Sequence, residues 1–220
     1  MRIHVPPKME DSPPLLLLFD GQNVFGDEGS FAGGWQAHGA VDRLPRTVAR
    51  PLVAAFDHGG TARMSELWSH LNQTLDAIER HLLPALRARY GVGAVIPGGA
   101  SLGGLAALAA HLRRPQVYGG ALVMSPSLWV GRGAIFEELP HQPHPNARLY
   151  LDMGQREKGQ MWPLALRLAA ILRQRGFDEA ALRWRPDARG VHNERHWRRR
   201  LPAALRHLFR RAQPAEKRKG

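Results

Sequence analysis

Gly99-Ala100-Ser101-Leu102-Gly103 has the G-x-S-x-G spacing that places a serine on a sharp turn from a strand into a helix. The chemistry explains the spacing. Residues without bulk two places either side let strand and helix nearly touch, and the tight turn exposes the hydroxyl. The helix that follows aims backbone N–H groups at negative charge developing beside it. Gly104 adds a further residue with no side chain at the helix start. The reaction this arrangement serves is nucleophilic attack on a carbonyl. In a chain with 23 glycines the pattern alone is a weak signal. Its context strengthens it, because an apolar run precedes it and an Ala/Leu-rich segment follows. The competing reading is a glycine-rich turn in which Ser101 only caps the helix.

A serine hydroxyl needs a general base, usually histidine. The chain order serine, acid, histidine leaves His192, His196 and His207 as candidates. His207 falls inside the last expected helix and His196 at its start. His192 lies in the loop Gly190-Val191-His192-Asn193 after an expected strand, from which it can reach the turn, and is assigned as base. The acid must orient and charge-balance the imidazole from a loop just after a strand. Asp152 ends one expected strand and Glu157 follows in Gly154-Gln155-Arg156-Glu157. Spacing leaves both open, with Asp178 and Asp187 as weaker rivals. For the oxyanion, one N–H belongs to Leu102, the residue after the nucleophile. Asp20-Gly21-Gln22-Asn23 offers the second through Gln22, although Asp-Gly is also a common turn pair. Asn23, Trp35 and Trp129 are candidates for a substrate pocket, tryptophans being more often core or rim residues. With no cysteine in the chain, a thiol nucleophile, disulfides and Cys-based zinc sites are excluded. The chemistry requires no metal and no cofactor.

The elements that must position these groups alternate. Arg2–Val5 reads as an edge strand ending at Pro6-Pro7. Leu15–Phe19 and Leu52–Phe56 are short apolar runs of the kind buried between helical layers, each closed by Asp and Gly. Between 66 and 90, apolar residues at Leu67, Leu71, Leu75, Ile78, Leu82 and Leu86 have helical spacing, with Pro84 marking a kink or restart and Gly91 a stop. Further strands are expected at Val92–Ile96, Val117–Met124, Leu149–Leu151 and Leu182–Trp184. Helices are expected at about Leu102–Leu112, Pro163–Arg175 and Arg195–Arg210. This alternation predicts a three-layer α/β/α sandwich around a mostly parallel sheet, in one domain spanning 1–220 with a frayed basic tail over about 211–220. Sites in such sheets lie at the carboxyl ends of the strands, where every motif above falls.

The hydrophobic fraction of 44% and charged fraction of 23% are ordinary for a globular protein. No purely apolar run, Leu15–Phe19 included, approaches the length of a membrane span. No secretory signal is recognisable near Met1, so a cytoplasmic location is expected. The formal charge of +12 favours anionic partners, but the basic residues are scattered and no nucleic-acid module is recognisable. They are read as a solvated face, with no specific nucleic acid and no membrane as partner.

Taken together, the motifs resemble the esterase group of α/β hydrolases that includes esterase D-like enzymes, enterobactin esterases, feruloyl and acetylxylan esterases and mycolyltransferases. The likeness is carried by Leu18-Phe19-Asp20-Gly21-Gln22-Asn23-Val24-Phe25, by Phe56-Asp57-His58-Gly59-Gly60 with Arg63, and by Gly99–Gly104. It continues through Ser125-Pro126-Ser127-Leu128-Trp129, Leu151-Asp152-Met153-Gly154 with Glu157, and Gly190–Asn193 with Trp197. It runs from Arg2 to about Phe209. The resemblance implies that Glu157 rather than Asp152 is the acid, and that Gln22 and Leu102 supply the oxyanion donors. The stretch between Arg63 and Leu75 is short for the family, in a region that often contributes to substrate binding. The expected function is hydrolysis of a small-molecule carboxylic ester through an acyl-enzyme on Ser101. The rivals are an acyltransferase with the same three residues and a non-catalytic anion- or nucleic-acid-binding protein on the same fold.

Overall fold

The computed structural model describes residues 1–27, 30 and 32–211. Seven strands form one sheet: β1 (Arg2–His4), β2 (Leu15–Phe19), β3 (Leu52–Phe56), β4 (Val95–Ala100), β5 (Gly120–Met124), β6 (Arg148–Gly154) and β7 (Leu182–Asp187). Their order is β1-β3-β2-β4-β5-β6-β7. β1 runs antiparallel to β3 at one edge, and every other pairing is parallel. The helices are α1 (Ala37–Asp42), α2 (Leu71–Ala77), α3 (Leu83–Tyr90), α4 (Leu102–Arg113), α5 (Met161–Gln174) and α6 (Glu194–Leu208).

Side-chain alternation along the central strands separates two cores. Leu15, Leu17 and Phe19 of β2 face one cluster with Leu52 and Ala54, shared with α2, α3, α4 and α5. Leu16 and Leu18 face the other with Val53 and Ala55, shared with α1 and α6. Because both faces are covered, β2 is fully buried and its sequence runs apolar without alternation. This is the expected three-layer sandwich. Among the described residues no helix is long and apolar enough to cross a membrane.

Several boundaries differ from the sequence expectation. The strand expected over Val92–Ile96 lies at Val95–Ala100, so Pro97, Gly98 and Gly99 belong to a central strand rather than to a turn. The glycines are there for packing: a Cβ on Gly98 would stand 2.8 Å from Leu18 Cδ2 and 2.9 Å from Leu122 Cβ. The strand expected at Leu149–Leu151 extends to Gly154, which puts Asp152 inside the sheet. β7 extends through Pro186, tolerated because β7 is an edge strand. The long helical stretch after Arg63 contains π-helical turns at Ser65–Ser69 and Ile78–Leu82. The second lies just before Pro84, where the ring and the missing N–H disfavour an unbroken α-helix. Arg210 bridges to Val48, and Arg211 bonds the Arg46 carbonyl and pairs with Glu10. The rest of the expected tail, 212–220, lies outside the described residues.

Strand β4 meets helix α4 at the serine turn with no room to spare, since a Cβ on Gly99 would lie 2.4 Å from Gly103 C and 2.6 Å from its oxygen. Gly99→Ala must therefore push strand and helix apart. Urea denaturation should show a loss of about 1–3 kcal/mol, the usual range for overpacking; an unchanged midpoint would contradict this reading of the turn.

Candidate active site

Ser101 sits between β4 and α4 with φ 57° and ψ −122°, a backbone conformation that costs an ordinary residue of order 1–3 kcal/mol. The turn is held from both sides: Ser101 N–H donates to the Met124 carbonyl at 3.0 Å, and Ser127 N–H donates to the Ser101 carbonyl at 3.0 Å. Parallel register does the rest. Ala100 pairs with Met124, and Met124 with Asp152, so Ser101, Ser125 and Met153 emerge side by side at the carboxyl edge of the sheet.

The acid and the histidine meet at this edge. His192 Nδ1 and Glu157 Oε2 are 2.7 Å apart, the imidazole half-buried and the carboxylate shielded from solvent. Glu157 Oε1 accepts from Ser125 Oγ at 2.6 Å and from the Gly154 N–H at 2.9 Å. Burial pushes the Glu157 carboxyl up, but the bonds from His192 and Ser125 outweigh it and hold the group below the ordinary carboxylate range. The His192 ring also stands edge-on to Trp197, with ring centroids 5.0 Å apart. Ser101 Oγ is 3.1 Å from Ser127 Oγ and makes no hydrogen bond with His192 in this arrangement. Contacts of this kind are often long before substrate binds and tighten in the complex.

Asp152 does not touch His192. It is fully buried one strand position earlier, accepting from the Ser125 N–H at 3.2 Å and facing Arg200 Nε at 3.3 Å. Burial, partly offset by Arg200, pushes its pKa up to about 7. The spacing ambiguity between the two acids is thus separated by a single pleat: Asp152 points beneath the sheet edge toward α6, while Glu157 comes from the loop beyond it.

Three contributors carried no conspicuous signal in the sequence. Ser125, itself at φ 41°, is the junction of the network. Its hydroxyl donates to Glu157 and accepts from Trp197 Nε1 at 3.0 Å and from Arg200 Nη2 at 2.9 Å, using its one donor and both acceptor positions. Arg200 is buried within a run, Arg195–Arg200, that reads as a solvated basic face. The available signal was its spacing from Trp197, three residues away on the apolar face of α6. Ser127, whose hydroxyl lies beside that of Ser101, is marked in the sequence only by its place in the resembling segment Ser125–Trp129 after the apolar strand β5.

The loop after β2 approaches the same edge. Asp20 adopts a left-handed conformation, φ 59°, opening a short 3-10 turn over Gly21–Asn23. Its carboxylate receives two bonds from Arg63 at 2.7 Å each, tying the loops after β2 and β3 together. A Cβ on Gly103 would meet Asp20 Oδ2 at 2.9 Å, so this loop lies directly against the start of α4. Leu102 and Gln22 each sit in the first turn of a helix, where the N–H has no intrahelical acceptor. The Asn23 carbonyl accepts from Trp35 N–H at 2.8 Å, and Trp35 is buried in the second core against Trp197. Trp129 is 54% exposed, two residues beyond Ser127. No group of histidines and carboxylates arranged to hold a metal occurs among the described residues.

A family model described as "Putative esterase" matches residues 1–208. The chain belongs to this esterase family. It is accordingly a carboxylic-ester hydrolase. Among solved structures, the esterase is similar to the BES protein from Bacillus cereus at 20% identity and a TM-score of 0.77, covering 94% of this chain and 87% of that one. It is similar to an IroE-like serine hydrolase from Shewanella oneidensis at 16% identity and a TM-score of 0.75, covering 94% and 74%. The enterobactin esterase from Shigella flexneri gives 24% identity and a TM-score of 0.74; this chain is covered over 92% but spans only 53% of that protein. These likenesses bear on the fold. No curated protein matches the chain by sequence.

Ser125→Ala removes the shared partner of Glu157, Trp197 and Arg200. Leaving two donors buried without an acceptor should cost about 1–3 kcal/mol in urea denaturation; a loss below about 0.5 kcal/mol would show that the network does not depend on this hydroxyl. Asp152 gives a pH test. Its folded pKa, about 7, lies above the unfolded value, so between pH 4 and 7 the folded state binds the extra proton and stability falls as pH rises. In Asp152→Asn that decline should flatten, which denaturation at a series of pH values reads directly. An identical pH profile in both proteins would contradict the assignment.

Proposed function

We propose that the esterase works through an acyl-enzyme on Ser101, with His192 as general base and Glu157 as its orienting acid. The observation that carries this reading is the His192–Glu157 pair, 2.7 Å apart, at the same sheet edge as a serine held in a strained strand-to-helix turn. Ser101 Oγ attacks the ester carbonyl while His192 Nε2 takes its proton. The imidazolium is balanced by Glu157, whose lowered pKa keeps it ionised. Negative charge on the former carbonyl oxygen is met by the N–H groups of Leu102 and Gln22. Collapse of the tetrahedral species expels the alcohol, which leaves with the proton from His192. Water then attacks the acyl-serine, giving its proton to His192, and the carboxylic acid is released with Ser101 reprotonated.

The substrate is a small-molecule carboxylic ester. The family match and the enterobactin esterase named above support this substrate class. Trp129, exposed two residues beyond Ser127, is the candidate substrate contact, whereas Trp35 supports Trp197 from within the core.

Steady-state hydrolysis of short-chain p-nitrophenyl esters tests the roles. Ser101→Ala and His192→Ala should each lower kcat by at least about a thousandfold, as triad deletions do elsewhere, with little change in folding. Glu157→Gln, which keeps the shape but removes the charge, should lower kcat by at least about a hundredfold and leave KM near wild type. Wild-type turnover in Ser101→Ala would remove the nucleophile assignment. Wild-type turnover in Glu157→Gln would remove the acid.

A further inference from the structure

The edge strand β7 exposes Arg183 and Arg185 on the face that α6 reaches only at Asp187. Leu182 and Trp184 point into the core shared with α5, Trp184 lying beside Trp162. Arg183 and Arg185 point the other way and are exposed. On that side α6 packs over β5 and β6. Beyond it lies a groove of about 540 Å³, walled by Arg183 and Arg185 from the strand, by Arg206 from the C-terminal part of α6 and by Arg210 just past its end.

Among the described residues, none of these four guanidinium groups has a carboxylate partner, and Glu179 is the one carboxylate on the groove wall. Tyr150 and His207 also line it. Tyr150 is fully buried and turned toward Asp152, and His207 is held by the Leu149 backbone. The local field is strongly positive. Burial together with Arg148, Arg210 and Arg183 pushes the His207 pKa down to about 4. Cations gathered in a groove without paired carboxylates leave an excess of positive charge that a bound anion would balance.

The spacing defines the anion. Arg183 and Arg185 stand two residues apart on a strand, about 6–7 Å along it; Arg206 lies in the last turns of α6 and Arg210 two residues past its end, in the bridge to Val48. The groove thus presents two arginines from the strand and two from the end of α6 and the segment after it. Each guanidinium brings five donors and no acceptor, and a phosphate's three oxygens take up more of them than a carboxylate's two. No aromatic ring is exposed in the groove on which bases could stack, which disfavours a single-stranded nucleic acid. We propose that the groove between β7 and α6 is a binding site for a small anion bearing two phosphate groups, separate from the ester site.

The probe is inorganic pyrophosphate, titrated into the full chain at low ionic strength by calorimetry. One-to-one binding is expected. Arg183→Gln with Arg206→Gln should weaken it at least tenfold, while Arg87→Gln with Arg89→Gln, an equal loss of charge on exposed residues of α3, should change it less than twofold. Melting temperature and ester hydrolysis as in wild type certify folding of each variant. If the first pair proves unstable, Arg185→Gln with Arg210→Gln replaces it. Absence of pyrophosphate binding, or equal weakening by both charge-matched pairs, overturns the proposal. So does tighter binding of a single-stranded oligonucleotide that is lost with the same groove arginines.

Discussion

A carboxylate removed from water survives as an anion only if donors replace its hydration. Glu157 meets that condition through His192, Ser125 and the Gly154 N–H. Much of the surrounding architecture follows from this requirement. Ser125 must stand at the end of β5 in an uncommon backbone conformation to present its hydroxyl. Helix α6 must bring Trp197 and Arg200 down onto that hydroxyl, so its apolar face carries a buried guanidinium. Asp152 then lies beneath Arg200 as a second buried carboxyl, serving the cation rather than the histidine.

The same sheet edge supplies two conditions that catalysis on an ester requires. Parallel register aligns the ends of β4, β5 and β6, so residues distant in sequence reach one line without adjustment. Glycines at 98, 99, 103 and 104 let neighbouring chains close on the serine turn, with Gly103 touching the Asp20 loop. Arg63 locks that loop by a two-pronged bond to Asp20. Strain at Ser101 is thereby held in place by packing on every side, which is the circumstance in which strain persists.

The sheet was legible because each buried strand is a short apolar run and each break is rich in Asp or Gly. Boundaries were less so. Gly98 and Gly99 read as a turn because their role depends on Leu18 and Leu122, which lie far away in sequence. The serine turn and the histidine loop could be assigned from spacing and chain order. The two acids could not be separated by spacing, since the distinction rests on β6 continuing to Gly154 and hiding Asp152. Arg200 was concealed by its neighbours: Arg198 and Arg199 beside it are exposed, and only its spacing from Trp197 marks the one that is buried. The arginines of β7 were hidden likewise, because alternation shows which residues share a face but not whether a helix covers it.

The account stands on a covalent intermediate at Ser101. Intact-mass measurement of the protein, acid-quenched within milliseconds of mixing with a slowly hydrolysed activated ester, tests it directly. The predicted result is a transient mass increase of one acyl group that peptide mapping assigns to Ser101 and that decays as product appears. Turnover with no adduct, or with an adduct on another residue that decays at the rate of turnover, would contradict it.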